Sequence, residues 1–354
     1  MRFIFCILFF VTIGTQSLLA SSSEHEEEFN ATEMIMHHIA DSHEWHIITF
    51  NSGKENEIHI TMPLPVILWH KGLHVFLSSK FHKEKVVPIG NSFVVYDHGK
   101  IYLTDANGTL THNEEGHITN AKPLDISITR NVASMFMSIA ILLLILISAA
   151  KGYKKRGATS APKGIQNVIE YVVLFVRDDI IKEQIHDSRK ANFFTPYLMT
   201  LFFFIIINNL IGLVPFFPGG SNLSGNISFT FTLGIISFLA VNIFASKNYW
   251  KHIFLAPGVP SFVKVLLVPV EFIGIFTKPF ALILRLFANI TAGHMIILSL
   301  TSVIFVMGSL VASPLSVLLS LMMFCIEFLV AFLQAYIFTL LTSLFIGMAV
   351  NESH

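Results

Sequence analysis

Lys278-Pro-Phe-Ala-Leu-Ile-Leu-Arg285-Leu-Phe-Ala-Asn289-Ile-Thr-Ala-Gly-His294 lies inside an apolar segment running from Val265 to Met307. A permanently charged guanidinium is thus surrounded by residues that belong in lipid. An Arg at mid-membrane costs roughly 2.5 to 3.5 kcal/mol on insertion scales, so it is expected only where it faces protein or a water-filled path. Handling of charge inside a membrane is the first functional inference.

The rest of the chain agrees with that setting. Hydrophobic residues make up 53%, charged residues only 13%, and 34 Phe stand against 23 Lys plus Arg, the composition of an integral membrane protein. The net charge of zero hides an asymmetry: residues 21–130 hold most of the Asp, Glu and His, whereas residues 191–350 contain only Glu271 and Glu327 as acids. The chain reads as a polar head followed by an apolar body, with no nucleic-acid partner.

At the start, Met1-Arg2 precedes an apolar run from Phe3 to Ile13 and then Ser17-Leu-Leu-Ala20, the layout of a removable secretory signal over residues 1–20. Cys6 is lost with that signal, leaving Cys325, which reads as a small core hydrophobe without a disulfide partner. Residues 21–128 are then an exported extension. Its opening Ser-Ser-Ser-Glu-His-Glu-Glu-Glu reads as a solvated tail. Glu57–Met62, Ile67–Leu77, and Ser92–Tyr96 facing Lys100–Thr104 across Asp97-His98-Gly99 read as short strands of a small β-rich cap. His37, His38, His43 and His46 match no ligand spacing for zinc and have no Cys beside them, so they read as a polar face and no metal or cofactor is expected.

Residues 129–354 form the membrane domain. A hydrocarbon core about 30 Å thick needs about 20 apolar residues in a helix. Val132–Ala150, Phe193–Phe217 and Ile227–Ala245 meet that length as the first three spans. Ile165–Ile185 carries apolar Ile165, Val168, Ile169, Val172 and Val176 at helical spacing, with Arg177, Asp178, Asp179, Lys182 and Glu183 near its end. That pattern reads as an amphipathic interfacial helix. Val265–Met307 and Pro314–Val350 would reach about 64 Å and 55 Å as helices, far beyond a single perpendicular crossing. They read as two strongly tilted helices, with Pro269 and Pro279 as places to bend or break. The fold class is therefore an all-α polytopic protein of about five spans plus an interfacial helix. Lys and Arg crowd residues 151–190 and recur at Lys247, Lys251 and Lys264, while loops 218–226 and 307–314 have none. The positive-inside rule then places the head outside and the C-terminus in the cytoplasm.

Polar residues on the last two helices are few. Glu271, Lys278 and Arg285 recur every seven residues and share a helical face that Asn289 extends. His294 is half a turn out of phase with Arg285, and Glu327 and Gln334 share a face of the final helix. Counted from the cytoplasmic end, Glu271 is shallow, Arg285 deep, and His294 and Glu327 lie toward the exported side. Two polar regions are thus offset across the membrane with a fixed positive charge between them. A carrier holding a carboxylate would lose its proton beside Arg285, and His294 and Glu327 are groups that pass protons. The blander reading of these residues is as polar pairs that fix helix packing.

Arg285-Leu-Phe-Ala-Asn289-Ile-Thr-Ala-Gly-His294, Leu333-Gln334-Ala-Tyr-Ile-Phe338 and Asn209-Leu-Ile-Gly-Leu-Val-Pro215 closely resemble subunit a of the F-type ATP synthase membrane sector over about residues 130–350. The resemblance implies that Arg285 is the essential arginine facing the rotating c-ring carboxylates and Asn289 its polar neighbour. It likewise implies that Glu271 belongs to the cytoplasmic access path and Gln334 is the partner glutamine on the last helix. Many bacterial members carry Glu at the position of His294 and His at that of Glu327, and mitochondrial members resemble this chain. The implied partners are the c-ring, subunit b of the peripheral stalk, membrane lipid and H⁺ as the transported ion, in a bacterial inner membrane. The chain has no Gly-rich phosphate loop, so nucleotide chemistry belongs to other subunits and this one is not itself an enzyme. The alternative is a secondary ion transporter with a central intramembrane site, which predicts internal repeats with interrupted helices; the sequence shows no such repeat. A receptor or scaffold anchored by its head leaves Arg285 unexplained.

Overall fold

A computed structural model describes residues 41–50, 58–97, 99–113, 118–157, 164–214, 217, 219–258, 260–307 and 312–351. The expected signal peptide, Cys6, His37 and His38 lie outside these residues. The chain divides into two compact units, one comprising residues up to Ala133 with Pro215–Pro218, the other Ser134–Val214 with Gly219 onward.

The first unit contains eight strands among its described residues: β1 (Glu44–Phe50), β2 (Ile58–Pro63), β3 (Pro65–Trp69), β4 (Leu73–Leu77), β5 (Val87–Ile89), β6 (Ser92–Asp97), β7 (Lys100–Thr104) and β8 (Leu124–Asp125), with a helical turn α1 (Lys80–Lys83). They form three small antiparallel sheets in the orders β1-β2, β4-β3-β8 and β5-β6-β7. Period-two alternation decides what is buried: Val66 and Leu68 of β3 point inward and meet Val87, Ile89, Val94 and Ile101 in one apolar cluster. The β6–β7 hairpin pairs Asp97 with Lys100, and the two-residue turn between them needs Gly99, whose φ is +80°.

The chain leaves this unit under tight control. Past β8 the amides of Ile126 and Ile128 donate to the Ile67 and Pro65 carbonyls at 2.9 and 3.1 Å, and the Arg130 amide donates to Ser42 O at 2.8 Å. Asp41 accepts from the Asn131 amide at 3.1 Å. His43, 4% exposed, meets the Asp125 carboxylate at 2.8 Å. Burial pushes Asp125 up, but hydrogen bonds from His43 and Ser127 outweigh it and hold the carboxyl below its usual range.

The second unit is helical. It comprises α2 (Arg130–Arg156, its first turn in the first unit), α3 (Ile165–Phe175), a π-helical turn (Val176–Ile181), α4 (Lys182–Gln184), α5 (Ser188–Leu213), α6 (Ile227–Ile243), α7 (Lys247–Leu255), α8 (Ser261–Met307) and α9 (Ala312–Val350). Caps set several boundaries: Asp187 accepts from the Arg189 amide, Asn226 from Ser228 and Phe229, and Ser246 from Tyr249. Among the described residues, four helices are long and apolar enough to cross a membrane, or five when α6 and α7 count as one bent span.

Four expectations are corrected. The second span stops at Leu213 rather than Phe217, because Val214 precedes Pro215 and takes an extended conformation. The third span, α6, has 17 residues and meets α7 at a 96° bend, so alone it falls short of a full crossing. Pro269 and Pro279 do not break α8, which continues as one 47-residue helix; each proline removes one backbone bond while packed Ile275, Leu282 and Leu286 carry the helix past it. Cys325 is exposed rather than a core residue.

The amphipathic segment divides its apolar residues between two faces. Val176, Ile180, Ile181 and Ile185 are fully buried, while Ile165 and Val168 are exposed. Arg177 and Lys182 bind Asp178 at 2.7 and 2.8 Å on the polar side. This segment and the start of α5 clasp the end of α9: Asn351 donates to Gln184 O at 3.1 Å, and Lys190 Nζ of α5 donates to Val350 O at 2.7 Å.

Gly347 is what lets α9 come this close, since a Cβ there would lie 2.2 Å from the Gln184 carbonyl oxygen. Gly347→Ala is therefore expected to destabilise the detergent-solubilised protein by about 1–3 kcal/mol, the usual cost of overpacking against backbone. Gly274→Ala is the control, because a Cβ at Gly274 meets nothing within 4 Å. Thermal unfolding of both variants checks it: a fall in Tm for the first alone is the expected result.

Candidate functional site in the paired long helices

α8 and α9 run antiparallel. Lys278 lies over the Phe345 ring at 5.6 Å, Gly293 packs against Glu327, and Ser316 hydrogen-bonds the Leu300 carbonyl at the far end. The buried stripe of α9, Glu327, Ala331, Gln334, Ala335, Phe338, Thr339, Thr342 and Ser343, follows the helical period and is rich in small residues, which lets helix backbones approach.

Polar side chains collect in two regions of this pair. The first, toward the C-terminal end of α8, centres on Glu327, which is 5% exposed. Its Oε2 is buried without a hydrogen-bond partner among the described residues, and a Cβ at Gly293 would lie 2.3 Å from its Oε1. The structure thus brings Glu327 against the turn of α8 that carries His294. Asn209 of α5 donates to Ala331 O at 3.2 Å and accepts from Ser224 Oγ at 2.6 Å. Asn208 Oδ1 and Asn222 Nδ2 are further buried atoms without a partner among the described residues. Gln334, 2% exposed, is buried one α9 turn beyond Asn209's partner Ala331.

Ser221, Asn222 and Ser224 belong to what the sequence presents as an uncharged connecting loop. They are buried, and a 3₁₀ turn at Leu223–Gly225 packs the segment against α5, α6 and α8. Thr291 reaches the same turn, donating to Gly225 O at 3.4 Å. The sequence signal that marks this loop is its composition, Gly-Gly-Ser-Asn-Leu-Ser-Gly without a charge, between two spans. A loop facing bulk water has no need to avoid charge, whereas one folded among helices does.

The second region lies toward the N-terminal end of α8. Lys278, Ser237, Asn242, Tyr249 and Thr342 line a narrow crevice with Phe345. Tyr197 and Ser237 share a 3.1 Å hydrogen bond, while Asn242 Oδ1, Thr339 Oγ1, Thr342 Oγ1 and Ser343 Oγ are buried without partners among the described residues. Glu271 is half-buried, next to Phe272, whose ring meets Phe254 of α7 at 6.2 Å. Lys278 forms its contact with Phe345 and no ion pair with Glu271, so those two do not serve as a packing pair.

Between the regions the interior is apolar: Leu282, Leu286, Ala335 and Phe338 are all at or below 2% exposure. Arg285 flanks this plug. It is half-exposed, with Asn289 exposed one turn along, and no described acid lies within ion-pair range of its guanidinium. The helical stripe therefore leaves the cation at the open edge of the packed seam, available to a group that this chain does not supply.

Residues 132–347 match the family model of the ATP synthase A chain. The chain belongs to that family. ATP synthase subunit a of Chloroherpeton thalassium is 48% identical over 65% of this chain and 69% of its own length. Subunit a of Anaeromyxobacter sp. is 36% identical over 92% of this chain and 72% of its own, and subunit a of Pelodictyon phaeoclathratiforme is 42% identical over 68% and 72%. Residues 34–126 match a second model, a domain of unknown function. As an ATP synthase A chain, the protein is a membrane subunit of the proton-translocating sector.

The packing of Glu327 on Gly293 gives a direct test of the first region. Gly293→Ala places a methyl where the carboxylate now sits, and misplacement of a reacting group by about 1 Å costs on the order of 100-fold in favourable cases. Proton-driven ATP synthesis is expected to fall at least tenfold, by that reasoning, with the complex still assembled. Vesicle ATP synthesis alongside a blue-native gel measures both.

Proposed function

We propose that this chain is the stator half of a rotary proton path, carrying two offset half-channels to a c-ring with Arg285 as the barrier charge. The observation that carries the reading is the pairing of two regions of buried polar atoms without partners among the described residues, around Glu327 and around Thr342, with an apolar plug between them. Buried polar groups ordinarily have partners, and ordered water supplies them where a site is polar and roomy. Protons enter through water held by Glu327, His294, Asn208, Asn222 and the buried loop, and load a c-subunit carboxylate near Asn289 and Gln334. They travel with the ring and leave by the crevice near Lys278 and Glu271. Leu282, Leu286 and Phe338 close the direct route, and Arg285 drives off the proton of each arriving carboxylate by favouring its ionised form. A proton crossing 100 mV contributes about 2.3 kcal/mol, so several are needed per ATP.

In this reading the first unit is exported after removal of residues 1–20, the C-terminus is cytoplasmic, and the membrane is a bacterial inner membrane. Residues 21–128 and 129–354 are then the extension and the channel domain. The c-ring and the subunit b stalk are its partners, and nucleotide chemistry resides elsewhere in the complex.

Arg285 is half-exposed and outside the buried core, so its loss should spare assembly. Arg285→Ala is expected to give an assembled complex without ATP synthesis or ATP-driven pumping, and Lys to rescue poorly because an ammonium lacks the planar fork. Near wild-type synthesis by the Ala variant in energised vesicles would overturn the barrier role.

His294 and Glu327 are expected to act as one unit. His294→Glu and Glu327→His should each cut proton pumping strongly, and the double exchange should recover activity beyond the product of the single effects, the mark of direct coupling. Single effects that merely multiply across the four vesicle preparations would separate the two residues.

A further inference from the structure

The three-stranded sheet β4-β3-β8 turns one face into the first unit's core and leaves the other apolar. Strand register builds that outer face in rows. Trp69 pairs with Leu73 on one side and Leu124 on the other. Ile67 pairs with Val75 and accepts from the Ile126 amide at 2.9 Å. Pro65 pairs with Leu77 and accepts from Ile128. Trp69, Leu73, Val75, Leu77, Leu124 and Ile126 are each between 50 and 61% exposed. A contiguous apolar face of this kind on a polar domain marks an interaction surface.

We propose that this face is a lipid-binding surface, which rests the first unit on the outer leaflet of the membrane. Chain continuity identifies the occupant. The residues that complete the rows, Leu124, Ile126 and Ile128, run directly into α2, whose first residue is Arg130 and which is one of the spanning helices. Ile126 lies four residues before Arg130, so the chain holds it within about 14 Å of the start of the span, at 3.3–3.6 Å per residue. Backbone bonds from Ile126, Ile128 and Arg130 back into the same unit remove the slack that would let this edge swing far from the interface.

The chemistry of the face suits that position. Trp69 is the side chain enriched at headgroup depth, and the aliphatic residues beside it favour the acyl boundary. The tip of the β3–β4 hairpin carries exposed Lys71 between Trp69 and Leu73, and Lys122 stands two residues before Leu124. These cations complement anionic headgroups. Asp125, by alternation, turns to the opposite face and is held by His43. The inference rests on the proposed topology, with α2 spanning the membrane and the first unit exported, and not on the proton path, so the two stand or fall separately.

The test uses the assembled complex in vesicles of phosphatidylcholine and phosphatidylglycerol. In a Cys6→Ser, Cys325→Ser background, an environment-sensitive fluorophore is attached at Val75→Cys or, as a polar control, at Lys100→Cys on the exposed β6–β7 turn. Lipids carrying a nitroxide high on the acyl chain should quench the label at position 75 several-fold more strongly than that at position 100, with aqueous iodide showing the reverse order. Equal quenching at both positions overturns the proposal. So does a label at position 75 shielded from both quenchers, the signature of a protein partner, a second copy or another part of this chain covering the face.

Discussion

The antiparallel contact of α8 on α9 is the interaction on which the rest of this molecule depends. Its closest approach sets Gly293 beneath Glu327, on a helix whose Ala331 and Ala335 are fully buried. Helices in lipid gain nothing from hiding apolar surface from one another and must associate through close packing and polar contacts. Close approach here has a second effect. It encloses Glu327, Gln334, Thr339, Thr342 and Ser343, groups that lipid would penalise, and converts them from a cost into the lining of an interior. Loosening the seam would expose the same groups to hydrocarbon.

Arg285 and Glu327 show the two ways a membrane protein keeps a titratable or charged group. Glu327 is closed in, 5% exposed, with one oxygen against Gly293 and the other without a protein partner. Arg285 stands at the margin of the seam, half-exposed and beside the apolar plug. A guanidinium cannot shed its charge, so an Arg facing lipid alone is a standing penalty. An opposing carboxylate relieves that penalty, and an opposing carboxylate that moves makes the relief intermittent. The exposed Asn289 one turn away is a neutral donor and acceptor.

Much of this architecture is legible in the residues. Run length marks α8 and α9 as too long for a single upright crossing, and seven-residue spacing puts Glu271, Lys278 and Arg285 on one stripe, which is the stripe left partly open. The misses share a cause. Hydropathy measures how apolar a segment is and says nothing of where its backbone turns, so the 96° bend after Ile243 and the stop at Leu213 escaped it. Prolines are read as breaks because the peptide loses a hydrogen bond, yet helix neighbours carry α8 through Pro269 and Pro279. Cys325 was assigned to the core by residue type, and the position in the helical period places it outside.

The buried loop is the more instructive failure. Pro218 to Gly225 has the turn-forming composition of a surface connection, and only its lack of charge sets it apart from a turn in water. Burial there demands that every backbone group find a partner. The segment meets part of that demand locally: Asn222 accepts from the Gly225 amide at 2.8 Å, Asn226 caps α6, and Thr291 reaches across from α8 to the Gly225 carbonyl. Three asparagines and two serines from α5 and the loop then stand beside Glu327's helix pair, among them the bonded Asn209 and Ser224 and, among the described residues, Asn208 and Asn222 with an atom to spare. Irregular backbone inside a membrane is tolerated where it is buried in protein or lines a cavity. Buried side-chain atoms without a partner among the described residues are what the second case calls for.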